Sequence, residues 1–138
     1  MTGGMISLKI RNSQQRKLIA GIMKDNYDHP TADEIYELSR IKEPAISRGT
    51  VYRNLNQLVE MGEISKLTMP VGPDHFDCRE QNHYHFLCRK CHKVFDTPLE
   101  YDDSLNVAPG SMEGFRIEGH RLLLVGLCPQ CAGIEKNN

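Results

Sequence analysis

Two short cysteine pairs constrain the fold more than any other feature of the 138 residues: "CRKC" at 88–91 and "CPQC" at 128–131. Each C-x2-C loop turns two thiolates toward one point, and four thiolates close the tetrahedral shell of a structural zinc ion. The chain must therefore fold back to bring residue 128 beside residue 88. The 36 residues between the pairs exceed the common zinc-ribbon gap, so they are expected to build a small subdomain. Disulfides or buried free thiols are the other uses of such cysteines. The start of the chain, "MTGGMISLKI", lacks the basic segment and long apolar core of an export signal. No apolar run approaches bilayer length. The expected location is thus the cytoplasm, without a membrane partner, where thiols stay reduced and zinc is favoured over disulfides.

A rival reading starts from the same residues. "CRKCH" also matches the attachment pattern of c-type haem, with His92 as an axial ligand. Such haem normally requires export, and the second cysteine pair would have no use. Just upstream, "NHYHFLC" alternates along an expected strand over 83–88. His83 and His85 share one face, while Tyr84, Phe86 and Cys88 share the other. The two histidines look away from the sulfur cluster. With Asp77 and Asp96 as further candidates, they could hold a second ion. Imidazole and carboxylate without thiolate suit Fe(II), Mn(II) or Zn(II). Paired surface histidines with no ion remain the plain alternative.

The first half is helical in pattern. Leu18, Ile19, Ile22 and Met23 fall on one face over 13–26, and Thr31 with Glu34 forms a capping box before a helix that turns Ile35 and Leu38 inward. Ser47 opens a third helix whose apolar face is Val51, Leu55 and Leu58, with Gly62 as its stop. Two short strands around Pro70, Gly72 and Pro73 follow. Three helices and a hairpin make a winged helix-turn-helix candidate. Arg48, Thr50, Tyr52, Arg53, Asn56 and Gln57 occupy the open face of the third helix, where they can reach phosphates and base edges of double-stranded DNA. A solvated helix face is the bland equivalent. Charge leans the same way: residues 1–70 carry ten Lys/Arg against eight Asp/Glu, residues 71–138 seven against ten. The overall balance of -1 excludes a broadly basic, non-specific nucleic-acid binder. The second half reads as α/β, with strands over 83–88 and 119–127 and a short helix or loop in "PLEYDDSLNV". It is too small to bury much core without a metal or a dimer partner.

Taken together, "HPTADEIY", "ISRGTVYRNLNQLVEMGEI", "HYHFLCRKC" and "CPQC", in that order, resemble the ferric uptake regulator family of metal-dependent repressors, from about Arg11 to Cys131. The resemblance implies an α+β chain, with a winged-helix DNA-binding domain over 1–74 and a metal-binding α/β dimerisation domain over 75–138. It implies a homodimer on a pseudo-palindromic operator, with Cys88, Cys91, Cys128 and Cys131 on structural Zn(II). His29, Asp77, His83, His85 and Asp96 match the family's regulatory Fe(II) or Mn(II) site. Asp96, where the iron-responsive branch commonly carries Glu, matches the peroxide-stress regulators. In those proteins Fe(II) reacts with hydrogen peroxide and a ligating histidine is oxidised; His29 and His83 are the matching positions. An iron- or zinc-responsive uptake repressor is the alternative within the family, and a His/Asp metalloenzyme a remote one outside it. The chain departs from the family pattern at several places. His92 replaces the usual Gly after the second cysteine, and "RNSQQR" differs from the family's usual run near the first helix. Asn82 and Tyr84 replace partners that His120 needs for an additional metal site. Cys78, beside Asp77, is expected to be a small apolar filler.

Overall fold

The computed structural model describes residues 2–78 and 83–136, with side chains over 12–78 and 83–134. The chain separates into two compact units, Met1–Glu80 and Gln81–Asn138.

The first unit contains α1 (Thr2–Lys24), α2 (Ala32–Lys42), α3 (Arg48–Glu60), β1 (Ser65–Leu67) and β2 (His75–Asp77). α1 reaches back well ahead of Ser13, where the apolar pattern begins. Thr31 caps α2 as the capping box requires: its hydroxyl accepts from the Glu34 N–H (3.2 Å) and donates to the Glu34 carboxylate (3.3 Å). Ser47 caps α3 by accepting from the Thr50 N–H at 3.1 Å. Gly62, at φ 75°, ends it: the Gly62 N–H reaches the Val59 carbonyl and the Glu63 N–H the Leu58 carbonyl. That crossed pair stops a helix only where a residue accepts the left-handed conformation. Ile19, Met23, Ile35, Val51, Leu55, Leu58, Ile64 and Phe76 form the core. Leu38, expected inside, is 40% exposed. Ser39 takes the buried position at i+4 from Ile35, satisfied by donating its hydroxyl to the Ile35 carbonyl at 2.7 Å. β2 lies antiparallel to β1, Leu67 opposite His75 and Ser65 opposite Asp77. That pairing draws residues 75–77 into the first unit, beyond the division after residue 74 expected from sequence.

The second unit is built on one three-stranded sheet of order β4–β3–β5, from β3 (His85–Cys88), β4 (Val94–Asp96) and β5 (Leu123–Gly126), followed by α4 (Pro129–Lys136). β4 runs antiparallel to β3, with His85 opposite Asp96. β5 runs parallel to β3, with Cys88 beside Gly126. Both expected strands are shorter in the structure, and β4 and α4 add to them. A 3-10 turn over Asp103–Asn106 occupies the stretch expected as short helix or loop. Tyr84, Leu87 and Val94 are buried, beside a cluster of Cys88, Cys128 and Cys131 flanked by Phe86, Phe95 and Leu127. So small an apolar interior leaves the cysteines at the centre of what holds this unit.

Candidate metal centres and nucleic-acid interface

The cysteine cluster follows from strand pairing. Cys88 ends β3, and the parallel register sets Gly126 beside it, two residues before Cys128. Pro129, at the first helical position where a missing N–H costs nothing, starts α4 and swings Cys131 back toward Cys128. The four sulfurs lie within 4.8 Å of one another, and Cys91 Sγ to Cys128 Sγ is 3.9 Å. A zinc–sulfur bond of 2.3 Å in a tetrahedron sets sulfurs about 3.8 Å apart. A disulfide would require roughly 2.0 Å. The four thiols therefore fit zinc.

Burial, the largest single influence, pushes the Cys88 thiol up, but the backbone N–H groups of Cys128, Cys91 and Lys90 pull it down to about 5. Cys131 is pushed up to about 12, first by its hydrogen bond with Cys128 and then by burial. Four crowded thiols do not ionise together without a cation among them. All four belong to one cluster, so the second C-x2-C is accounted for and the haem reading of "CRKCH" is set aside. His92 adopts φ 63°, and its N–H donates to the Cys88 carbonyl at 2.9 Å. The turn thus keeps the left-handed conformation natural to glycine, with a histidine bearing the strain.

The opposite face of β3 gathers the second donor set, as alternation predicts. His83 Nε2 lies 3.1 Å and His85 Nε2 3.7 Å from Asp96 Oδ1, with the two rings 4.3 Å apart. The β3–β4 register places Asp96 there by setting it opposite His85. In the first unit, His29 Nε2 is 3.6 Å from Asp77 Oδ2, both side chains buried. Imidazoles and carboxylates at these separations, with no sulfur, suit a hard or borderline divalent ion. Cys78 instead packs on the core of the first unit and donates its thiol to the Asn26 carbonyl at 3.7 Å.

His120 is engaged elsewhere. The Asp102 N–H donates to the Tyr84 hydroxyl (3.0 Å), which meets His120 Nε2 at 2.6 Å, while His120 Nδ1 meets Asn106 Oδ1 at 2.6 Å. The Asn106 amide donates onward to the Tyr101 hydroxyl (3.2 Å), and the Tyr101 ring stacks on His120 at 4.5 Å. Hydrogen bonds occupy both ring nitrogens. Asn82 lies outside the described residues.

On α3, Val51, Leu55 and Leu58 are buried, and Arg48, Tyr52, Arg53 and Asn56 are exposed with Thr50 half-buried. Asp33 of α2 organises this face: it pairs with Arg48 and accepts from the Tyr52 hydroxyl at 3.2 Å. The Arg48 guanidinium also lies over the Tyr36 ring at 4.7 Å, a cation–π contact. Arg53 donates to the Thr50 hydroxyl at 3.4 Å, and Arg16 of α1 donates to Gln57 at 3.1 Å. Nothing in the helical pattern of the sequence marked Asp33 or Arg16 for these roles, because each reaches across to another helix. The Arg11 side chain is outside the described residues.

The model of the ferric uptake regulator family matches residues 7–125. The chain belongs to that family. Among its relatives, the peroxide-responsive repressor PerR of Staphylococcus epidermidis is 34% identical over 122 residues, covering 88% of this chain and 81% of the relative. The peroxide operon regulator of Bacillus subtilis is 33% identical over 128 residues, 93% of this chain and 88% of its own. The Campylobacter jejuni peroxide stress regulator superposes with a TM-score of 0.70 at 25% identity, covering 95% of this chain and 98% of that one. The iron-containing ferric uptake regulator of Francisella tularensis gives 0.71 at 22% identity, over 86% and 92%, and shows the shared fold. The two units are thus the winged-helix and dimerisation architectures of this family of transcriptional regulators. No helix among the described residues is long and apolar enough to cross a membrane.

Proposed function

We propose that this ferric uptake regulator homologue is a homodimeric, metal-dependent transcriptional repressor. It holds a pseudo-palindromic double-stranded operator in the cytoplasm and releases it when hydrogen peroxide oxidises His29 or His83. The observation that carries this reading is the sulfur-free donor set: His83, His85 and Asp96 in one unit, and His29 beside Asp77 in the other. The peroxide repressors among its relatives support it, as does Asp96 in place of Glu. The four cysteines would hold one structural zinc ion and close the second unit.

The five His and Asp side chains, gathered on one Fe(II) or Mn(II) ion, would hold the two units in a single relation. In a dimer that relation sets the distance between the two α3 helices, which has to match half-sites about one helical turn apart. Metal then favours the DNA-competent arrangement by population shift. Ferrous iron, when bound, would supply the redox chemistry that cleaves the O–O bond of hydrogen peroxide. One peroxide oxygen would end on a ring carbon of His29 or His83 and the other would leave as water, so that peroxide itself is the two-electron oxidant of the imidazole. An oxidised imidazole is a poorer ligand, so the units are freed and the α3 helices lose their spacing. Arg48, Thr50, Tyr52, Arg53 and Asn56 are the side chains we assign to DNA, with Asp33 orienting Arg48 and Tyr52.

The test is to load the protein with Fe(II) in the absence of oxygen, add a small excess of hydrogen peroxide, and map its peptides by mass spectrometry. One added oxygen on His29 or His83 with loss of operator binding is the expected result. Unmodified histidines in iron-loaded protein would make it a sensor of metal supply instead.

A further inference from the structure

We infer that His75 is a positioning residue for the regulatory metal, acting through the backbone of His29 and not as a ligand. The inference rests on the assignment of His29 to that site. His29 stands at φ 55°, a left-handed conformation uncommon for a residue with a side chain, and it precedes Pro30. A proline ring crowds the helical conformations of the residue before it, so His29 carries two steric burdens at once. Strain of this kind persists only where surrounding structure imposes it. β2 imposes it here. The Phe76 N–H donates to the Pro30 carbonyl at 2.8 Å, and Thr31 pairs with His75 as an isolated antiparallel bridge. The third tie comes from a side chain: His75 Nδ1 lies 2.5 Å from the His29 carbonyl oxygen.

A carbonyl oxygen only accepts, so Nδ1 is the donor in this contact and Nε2 takes no part in it. His75 is 5% exposed, and its Nε2 is buried with no hydrogen-bond partner among the described residues. A side chain kept for packing alone would not bury an unpaired polar atom where an apolar residue of similar volume fits. What the imidazole provides that such a residue lacks is the Nδ1–H directed at His29. The same strand also carries Asp77, whose carboxylate faces the His29 ring. β2 therefore fixes His29 from both ends, backbone through His75 and ring beside Asp77. Partners that orient a metal ligand without touching the metal commonly set its affinity by about tenfold to a hundredfold.

Two substitutions separate the donor from the bulk. In His75→Asn the side-chain amide takes the place of Nδ1 and keeps a donor near the carbonyl. In His75→Gln the amide takes the place of Nε2 and points away from it. The measurement is Mn(II) affinity of the full-length, zinc-loaded protein by titration calorimetry, beside zinc content and thermal midpoint, with His29→Ala in the same assay. The expected result is a loss of about tenfold or more in Mn(II) affinity for His75→Gln, a value near the parent for His75→Asn, and unchanged zinc in both. Equal affinities for Asn and Gln, whether both weakened or both retained, would overturn the positioning role. If His29→Ala binds Mn(II) like the parent, the assignment of His29 fails and the inference with it. A loss in His29→Ala without one in His75→Gln defeats the inference alone.

Discussion

The two units solve the same problem of stability by different means. The first buries a continuous apolar core of Ile19, Met23, Ile35, Val51, Leu55, Leu58 and Phe76, and its helices are capped by their own neighbours, Thr31 with Glu34 and Ser47 with Thr50. The second has a short three-stranded sheet, few buried aliphatics, and a sulfur cluster at the centre of its interior. A packed core is insensitive to metal supply, whereas a unit built around four thiols depends on an ion for its fold. For a regulator the division is useful. The α3 helix, which we assign to DNA, is expected to stay folded whatever the metal status, and the structural zinc is chemically distinct from the sulfur-free set that would respond to the signal.

The largest break in this comparison is Cys128→Ser. Structural zinc of this type contributes on the order of 10 kcal/mol to folding, comparable to the whole net stability of a small domain. The variant is expected to lose zinc by elemental analysis and its dimer by sedimentation, while the helical signal of the first unit persists. A zinc-free dimer with native structure would contradict the division. His29→Ala should leave both units folded and zinc bound, yet abolish metal-activated operator binding in a fluorescence anisotropy titration. Its cost in Mn(II) affinity should exceed the about tenfold to hundredfold typical of an outer partner. Arg53→Ala is expected to act only on the face we assign to DNA: metal content should be unchanged, and operator affinity should fall with a salt slope smaller by about 1 if Arg53 neutralises one phosphate. Smallest is Thr31→Ala, which removes the α2 cap and should lower the stability of the first unit by about 1 kcal/mol in denaturant unfolding. An equal loss in the second unit would mean that the two are not independent.

The helical unit was the more legible of the two in sequence. Caps and apolar spacing act over three or four residues, so Thr31, Ser47, Gly62 and the face of α3 could be read locally. Leu38 was misread because helical spacing alone does not decide between i+3 and i+4; the packing against α1 and α3 chose Ser39, whose hydroxyl finds an acceptor one turn back. In the second unit β4, Val94–Asp96, went unread: three residues are too few to show an alternation, and no Pro-Gly turn sets it off as Pro70, Gly72 and Pro73 set off β1 and β2. Its pairing with β3 is nevertheless what places Asp96 beside His83 and His85.

By itself the sequence determined the donors and their separation: four thiols in two short loops, two histidines on the other side of a strand, and a helix with one apolar and one polar face. These are properties of bond geometry and of neighbours a few residues apart. The tertiary structure decided what each donor rests on. Parallel pairing of β5 with β3 joins the two cysteine loops, the Asp33 carboxylate couples Arg48 to Tyr52, and β2 holds His29 in a strained conformation through His75. Such contacts link residues far apart in the chain, and only the balance of packing and hydrogen bonding over the folded unit fixes which of them form.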